Sequence, residues 1–423
     1  MKDELLSLAD RVEELYVKIS KDYAVPDVDL PKINRFLSDR FSFSRPRSVS
    51  EITEDVNTML SRWTLHTNHP RHFGLYQPSL RNTGVIADAL AAAYNPQLGA
   101  WWFSPAANEI EKHCLSFISR KFGFDPKDVF SCFTSGGSES TTSAVLCALT
   151  KRFPNYGHEG LVGFTSRPKI CVSSEAHDSI VKIAHQTGLG RSAVSRIPTD
   201  SNQRLDINIL DKQIAEDRKN KDEPFLVVAT AGTTAVGAID PLPELVALCK
   251  SENLWLHVDA AWGGGFVFSN ETSKYLKGIE SVDSITWDPH KSLPIPTGAG
   301  YFLCRYKDAV KKTFIVSASY VPDEVEGHLD LYKVGLQWSR RFIGLKVFMI
   351  IAELGEEGLA AMVEQQFAMG GYLLQRLRET GWTIENSSPL PVVCFSHPSS
   401  KYSIEEILNR VMHRRKCWIS RIS

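Results

Sequence analysis

The sequence has no apolar run of the roughly 18 residues that a helix needs to cross a bilayer, so a helical membrane span is not expected. It has no CxxC pair and no Cys/His cluster at zinc spacing, so no metal site is expected either. Neither sign of charge is in excess: 48 Lys and Arg against 49 Asp and Glu give a formal net charge of −1. That balance offers no broad cationic surface to nucleic acid or to an anionic membrane. No internal repeat, low-complexity tract or long linker is visible. The opening stretch, MKDELLSLADRVEELYVKI, is too charged for a signal peptide. It reads as an amphipathic helix with Leu5, Leu8, Val12, Leu15 and Ile19 on one stripe. The eight cysteines sit mostly in apolar surroundings and read as buried free thiols of a reducing, cytoplasmic compartment.

What is present is a chain of 423 residues, 43% hydrophobic and 23% charged, a composition ordinary for globular proteins. Its length suits two or three domains. Residues 1–80 read as a helical segment punctuated by Pro26, Pro31, Pro46, Pro70 and Pro78. Residues 81–344 alternate helices with short apolar strands. Strands are expected at 129–134, 169–173, 194–198, 225–230, 254–259, 282–286 and 300–305, with helices at 138–152, 179–187, 207–219 and 242–251 between them. Nearly continuous apolar strands belong to a sheet covered on both faces, so the sheet is expected to be mostly parallel. Ligands of such sheets gather at the carboxyl ends of the strands. Helices at 342–354 and 359–380 lead into a small α+β domain, 345–423, that is short.

Four local features fall at strand ends or in the loops after them. Thr134-Ser135-Gly136-Gly137-Ser138-Glu139-Ser140 leaves a strand and opens a helix. Glycines there admit close approach and a helix N-terminus offers free N–H groups, which suits a phosphate, although Ser and Gly also cap helices that bind nothing. Asp259, in His257-Val258-Asp259-Ala260-Ala261-Trp262-Gly263, ends an apolar strand. It either caps the next turn or holds a cationic ring nitrogen. Lys291, in Thr286-Trp287-Asp288-Pro289-His290-Lys291-Ser292, is either solvated or an amine nucleophile, and His290 either a surface residue or a phosphate donor. His177, in Ser174-Glu175-Ala176-His177-Asp178-Ser179, is either a satisfied structural histidine or a flat ring for a planar ligand. Taken jointly, a phosphate cradle, a stacking ring, an acid for a ring nitrogen and an amine for an aldehyde describe one cofactor, pyridoxal 5′-phosphate.

With these residues the chain resembles the group II pyridoxal-phosphate-dependent amino-acid decarboxylases, which include glutamate and aromatic-amino-acid decarboxylases. The resemblance is carried by TSGGSES, SSEAHDS, ATAGTTAVGAID, HVDAAWGG, DPHK and WSRRFIGLK, in that order, and runs from about Asn68 past Arg341. It implies an α/β, aspartate-aminotransferase-like (fold type I) enzyme with a mostly parallel sheet and a small α+β C-terminal domain. It implies α-decarboxylation of an L-amino acid to an amine and CO2 through a Schiff base on Lys291. Asp259 would then pair with the pyridine nitrogen, and His177 would stack on the ring. Gly137, Ser138 and His290 would contact the phosphate, Thr234 and Ala261 the ring or its substituents. Tyr320, in the loop before WSRRF, would return a proton to carbon. The family also implies a homodimer with the N-terminal helices packed across the two-fold axis, residues 68–79 at the substrate mouth and residues 97–103 reaching the partner's site. The sequence departs from the family at Asp288, where Asn is frequent, at Ser292, where a bulky residue is usual, and at the large side chains of Trp101, Trp102 and Phe103. TSGGSES and GAIDPLPEL also resemble carbon–carbon lyases of the sphingosine-phosphate type. That reading, oxidative deamination and a non-catalytic relative are the alternatives.

Overall fold

The computed structural model describes residues 2–316 and 325–422, with side chains from residue 9 onward. Two compact units are distinguished, 80–398 and a second made of 1–79 with 399–423.

The larger unit is built on a seven-stranded sheet of β1 (Phe130–Thr134), β2 (Arg167–Ser173), β3 (Val194–Ile197), β4 (Asp222–Thr230), β5 (Trp255–Asp259), β6 (Ser284–Trp287) and β7 (Gly300–Cys304). Their order is β1-β7-β6-β5-β4-β2-β3. Strands β6, β5, β4, β2 and β3 run parallel in sequence, whereas β7 is antiparallel to both β1 and β6. The sheet is mostly parallel, as expected, with one reversed strand inserted near its edge.

Both faces of the sheet are covered, which is why its strands read as apolar runs. On β7, Phe302 and Cys304 join Ala144, Val145 and Ala148 of the Gly137–Arg152 helix in one core cluster. Tyr301, pointing the other way, stacks on Phe122 at 5.8 Å between ring centres and meets Trp287 edge-on at 6.1 Å. Each of these large rings is nearly sealed from water, and each contributes roughly 2–3 kcal/mol of burial. With one strand reversed, β1, β2, β4, β5 and β6 still point the same way. The segments that follow them, beginning at Ser135, Ser174, Ala231, Ala260 and Asp288, therefore leave one edge of the sheet.

The helices expected at 342–354 and 359–380 form one stretch, Gly344–Glu379, broken at Gly355, whose φ of 62° and ψ of −177° lie outside the helical range. Only glycine takes that conformation without strain. The first residue of this stretch is held by a buried acid. Gly344 N–H donates to Glu111 Oε1 at 2.8 Å, while Glu111 Oε2 is buried with no hydrogen-bond partner. Burial pushes the Glu111 carboxyl up to about 7, against the pull of the Arg340 guanidinium and the Gly344 amide. A carboxyl raised above its unfolded value of 4.5 stabilises the fold fully below that pH. That contribution is lost as pH rises through about 7, a total of about 3 kcal/mol. Glu111→Gln cannot ionise. It is expected to match the wild type in urea midpoint at low pH and to exceed it above neutrality, with the gap opening across that window.

The second unit holds helices Lys2–Ile19, Leu30–Arg40, Val49–Trp63 and Ile404–Arg414. Ser48 and Glu51 form a reciprocal capping box at the start of the third. Residues 71–74 are clasped by the C-terminal strip. Trp418 N–H donates to Arg71 O at 3.0 Å, Phe73 N–H donates to Trp418 O at 2.9 Å, and the Trp418 ring stacks on His72 at 5.1 Å. Arg415 Nε–H donates to Val25 O at 2.8 Å, tying the same strip to the first helices.

Candidate active site

The cradle begins where β1 ends. Thr134 Oγ1 and Ser140 Oγ share a hydrogen bond of 2.7 Å, and Glu139 Oε2 accepts from Ser135 N–H at 2.8 Å, Ser135 Oγ–H at 2.7 Å and Gln337 Nε2 at 2.6 Å. These bonds fix the turn from strand to helix. They leave the first N–H groups of the Gly137–Arg152 helix, which have no intrahelical acceptor, at the sheet edge with the exposed Ser138. A Cβ at Gly137 would stand 2.9 Å from Asp288 Oδ2, so a larger residue there would displace that carboxylate.

Opposite the cradle lies the one-turn helix Pro289–Ser292. His290 Nδ1 donates to Ala299 O at 2.7 Å, and its Cε1 lies 3.9 Å from where a Gly136 Cβ would be, so the ring edge faces the cradle. Lys291 Nζ is 3.0 Å from Asp288 Oδ2, with the lysine side chain a third exposed and the aspartate 3% exposed. Asp288 Oδ1 is buried without a partner. Burial raises the Asp288 carboxyl above its ordinary range, against the pull of Lys291 and His290.

Asp259 ends β5, paired in register with Thr286 of β6 on one side and Thr230 of β4 on the other. Its Oδ1 accepts Ala261 N–H at 3.0 Å, the turn-capping role, which uses one of its two oxygens. Ala261 O in turn accepts Asp288 N–H at 2.8 Å, linking the two loops. His177 is exposed, and its Nδ1 accepts Ser179 N–H at 3.1 Å at the start of the Ser179–Gln186 helix. That structural bond occupies one nitrogen and leaves the ring faces uncommitted. Thr234 is exposed in the turn after β4, where Gly232 takes a φ of 97° and Thr233 Oγ1 accepts Ala238 N–H at 3.0 Å. Asp240 accepts Thr230 N–H at 2.7 Å and Leu205 N–H at 2.8 Å and is buried, with its carboxyl pushed up to about 6 by desolvation. It pins the base of this turn.

The sheet thus brings Gly137, Ser138, His177, Thr234, Asp259, Ala261, His290 and Lys291 to one edge. Tyr320 lies outside the described residues. Sequence reasoning missed a buried relay beneath this edge. His257 Nδ1 meets Ser284 Oγ at 2.8 Å, its Nε2 meets Thr286 Oγ1 at 3.2 Å, and Thr286 Oγ1 meets Thr141 Oγ1 at 3.1 Å. Burial lowers the His257 ring to about 4, so it stays neutral beside Asp259. The sequence signal was its place two residues before Asp259 on the same strand face. The donor set as a whole fits a phosphorylated aldehyde with a basic ring. It offers a helix N-terminus kept open by Gly137, a primary amine, and a carboxylate on the next strand.

A family model described as the pyridoxal-dependent decarboxylase conserved domain matches residues 31–397. Aromatic-L-amino-acid decarboxylase of Bacillus atrophaeus is 31% identical over 366 residues, covering 85% of this chain and 74% of that protein. Acidic amino acid decarboxylase GADL1 of Homo sapiens is 32% identical over 373 residues, covering 87% and 70%. The crystal structure of mouse CSAD in apo form superposes with a TM-score of 0.89 at 25% identity, over 99% of this chain and 92% of that one. Oryza sativa TDC with PLP and tryptamine reaches a TM-score of 0.92 at 21% identity, over 100% and 90%, a likeness of fold alone.

Proposed function

The chain belongs to the pyridoxal-dependent decarboxylase family and is a pyridoxal-phosphate-dependent amino-acid decarboxylase; from that premise we propose that Lys291, Asp259 and His177 form its catalytic centre for removing the α-carboxylate of an L-amino acid. The observation that carries this reading is the register of the sheet. Asp259 ends β5, and the loop bearing Lys291 leaves β6, the adjacent parallel strand. An acid and an amine on neighbouring strand ends suit the two poles of one flat ring.

Bound pyridoxal phosphate supplies an aldehyde for Lys291 and a pyridinium ring that accepts the electron pair left by the departing carboxylate. In our assignment Asp259 holds a proton on the ring nitrogen, which keeps the ring a strong electron acceptor. His177 lays its ring face against the cofactor. The amides at Gly137 and Ser138, with His290, take the phosphate. Thr234 and Ala261 flank the ring and its substituents. Lys291 would be the amine that holds the aldehyde when no substrate is bound. Tyr320 then delivers a proton to the α-carbon.

The test is a panel of L-amino acids, acidic and aromatic, offered to the purified, cofactor-loaded protein. At least one is expected to yield amine and CO2 in equal amounts, and that substrate fixes the side-chain class. Aldehyde without CO2 across the panel overturns the reading. In Tyr320→Phe, amine formation is expected to fall by about 10²-fold with cofactor loading unchanged.

We propose a homodimer, supported by the exposed apolar side chains of Val28, Leu30, Phe43, Phe73 and Leu75 in the N-terminal segment. Sedimentation at micromolar concentration tests it. A reducing, cytoplasmic location is supported by the eight cysteines, all unpaired and six of them buried.

A further inference from the structure

Asp288 stands where the resembling family frequently has asparagine, and its surroundings give the carboxylate a task. Its backbone is anchored on both sides. Asp288 N–H donates to Ala261 O at 2.8 Å, and Asp288 O accepts Lys291 N–H at 2.9 Å. Its side chain is all but sealed, with Oδ2 on Lys291 Nζ at 3.0 Å and Oδ1 without a partner. The titratable groups facing it are Lys291 and His290 from its own turn and Asp259 from β5. A buried carboxylate with an unmatched oxygen is a costly ion. Nothing else in the reaction described above uses it.

We propose that Asp288 is the proton acceptor that converts Lys291 from an ammonium into the free amine able to take the cofactor. An ammonium has no lone pair to offer an aldehyde carbon. In the transfer the Nζ–H bond breaks and an Oδ2–H bond forms. The two opposite charges vanish together, and the 3.0 Å hydrogen bond survives with its donor and acceptor exchanged. The burial that disfavours the carboxylate favours the product of this step, and so does its unmatched oxygen. Asparagine has the same shape and cannot accept the proton.

This inference rests on the reading of Lys291 as the cofactor amine, and the experiment separates the two. Protein stripped of cofactor is mixed with pyridoxal phosphate, and borohydride fixation to Lys291 is followed in time by peptide mass spectrometry. Absence of fixation at Lys291 in the wild type defeats the reading of the lysine itself. With the wild type fixed, its rate is expected to be nearly flat through neutral and mildly alkaline pH. Asp288→Asn is expected to be slower by about 10²-fold near neutrality and to accelerate about tenfold per pH unit, because solvent must then take the proton. Asp288→Glu keeps an acceptor and is expected to retain the flat profile. Deoxypyridoxine phosphate, which has ring and phosphate but no aldehyde, is expected to bind all three proteins alike. An Asn variant with the wild-type rate and profile overturns the proposal. A Glu variant that behaves as Asn does so too, as does loss of analogue binding in Asp288→Asn, which would make the residue part of the cradle instead.

Discussion

Replacing Lys291 with alanine is expected to lower CO2 release by about 10⁴-fold or more, the scale at which removal of one member of a catalytic unit disables the whole. Borohydride fixation of pyridoxal phosphate to the peptide spanning residue 291 should vanish with it. The loss to the fold is confined to one ion pair. The lysine side chain is a third exposed, and its contact with Asp288 is an ion pair rather than packing. The urea midpoint of Lys291→Ala is therefore expected to fall by no more than the cost of leaving the buried Asp288 without its ion-pair partner. Residual turnover within tenfold of the wild type would remove Lys291 from the chemistry.

The second large effect is expected from Asp259→Asn, a fall in kcat of about 10²- to 10³-fold, the usual consequence of removing one preorganised electrostatic partner from a reacting group. Asparagine retains a carbonyl oxygen that can accept Ala261 N–H, so the turn after β5 keeps its 3.0 Å bond. What is lost is charge. In the proposed site a neutral amide would not hold a proton on the cofactor's ring nitrogen, and the ring would be a poorer electron acceptor. KM is expected to move little, because in the proposed site Asp259 faces the cofactor ring and not the substrate. A variant that loses stability in proportion to activity would make Asp259 a capping residue only. Steady-state kinetics of CO2 release together with urea midpoints distinguish the two outcomes.

Much of this arrangement is legible in the amino-acid sequence, and the reasons are local. A strand with apolar residues on both sides, followed by Gly-Gly-Ser or by Asp-Ala-Ala, declares both a doubly covered sheet and a turn that needs small residues. The interruption of the long helix is signalled by Glu-Glu-Gly at 356–358, although the break falls on Gly355. The direction of β7 is signalled more weakly. One short helical turn, Pro289–Ser292, lies between β6 and β7, too little helix for the usual crossover to a parallel strand, although the connection as a whole is long enough for either sense. Other features are not legible because they are set by distant parts of the chain. Glu111 reads as an ordinary helical glutamate. Its burial comes from Gly344 and Arg340, more than two hundred residues away. Asp288 is visible as a departure, but its seclusion depends on Gly137 and Ala261, on other loops. Nothing near Trp418 announces His72 as its partner.

The clasp between residues 71–74 and Trp418 carries a consequence for how the chain is made. One compact unit is assembled from residues 1–79 and 399–423, while 80–398 form the other from a single continuous stretch. A nascent polypeptide emerging from the ribosome can gather the continuous stretch as it is synthesised. The opening helices must wait, without their closing strip, until translation has passed residue 418.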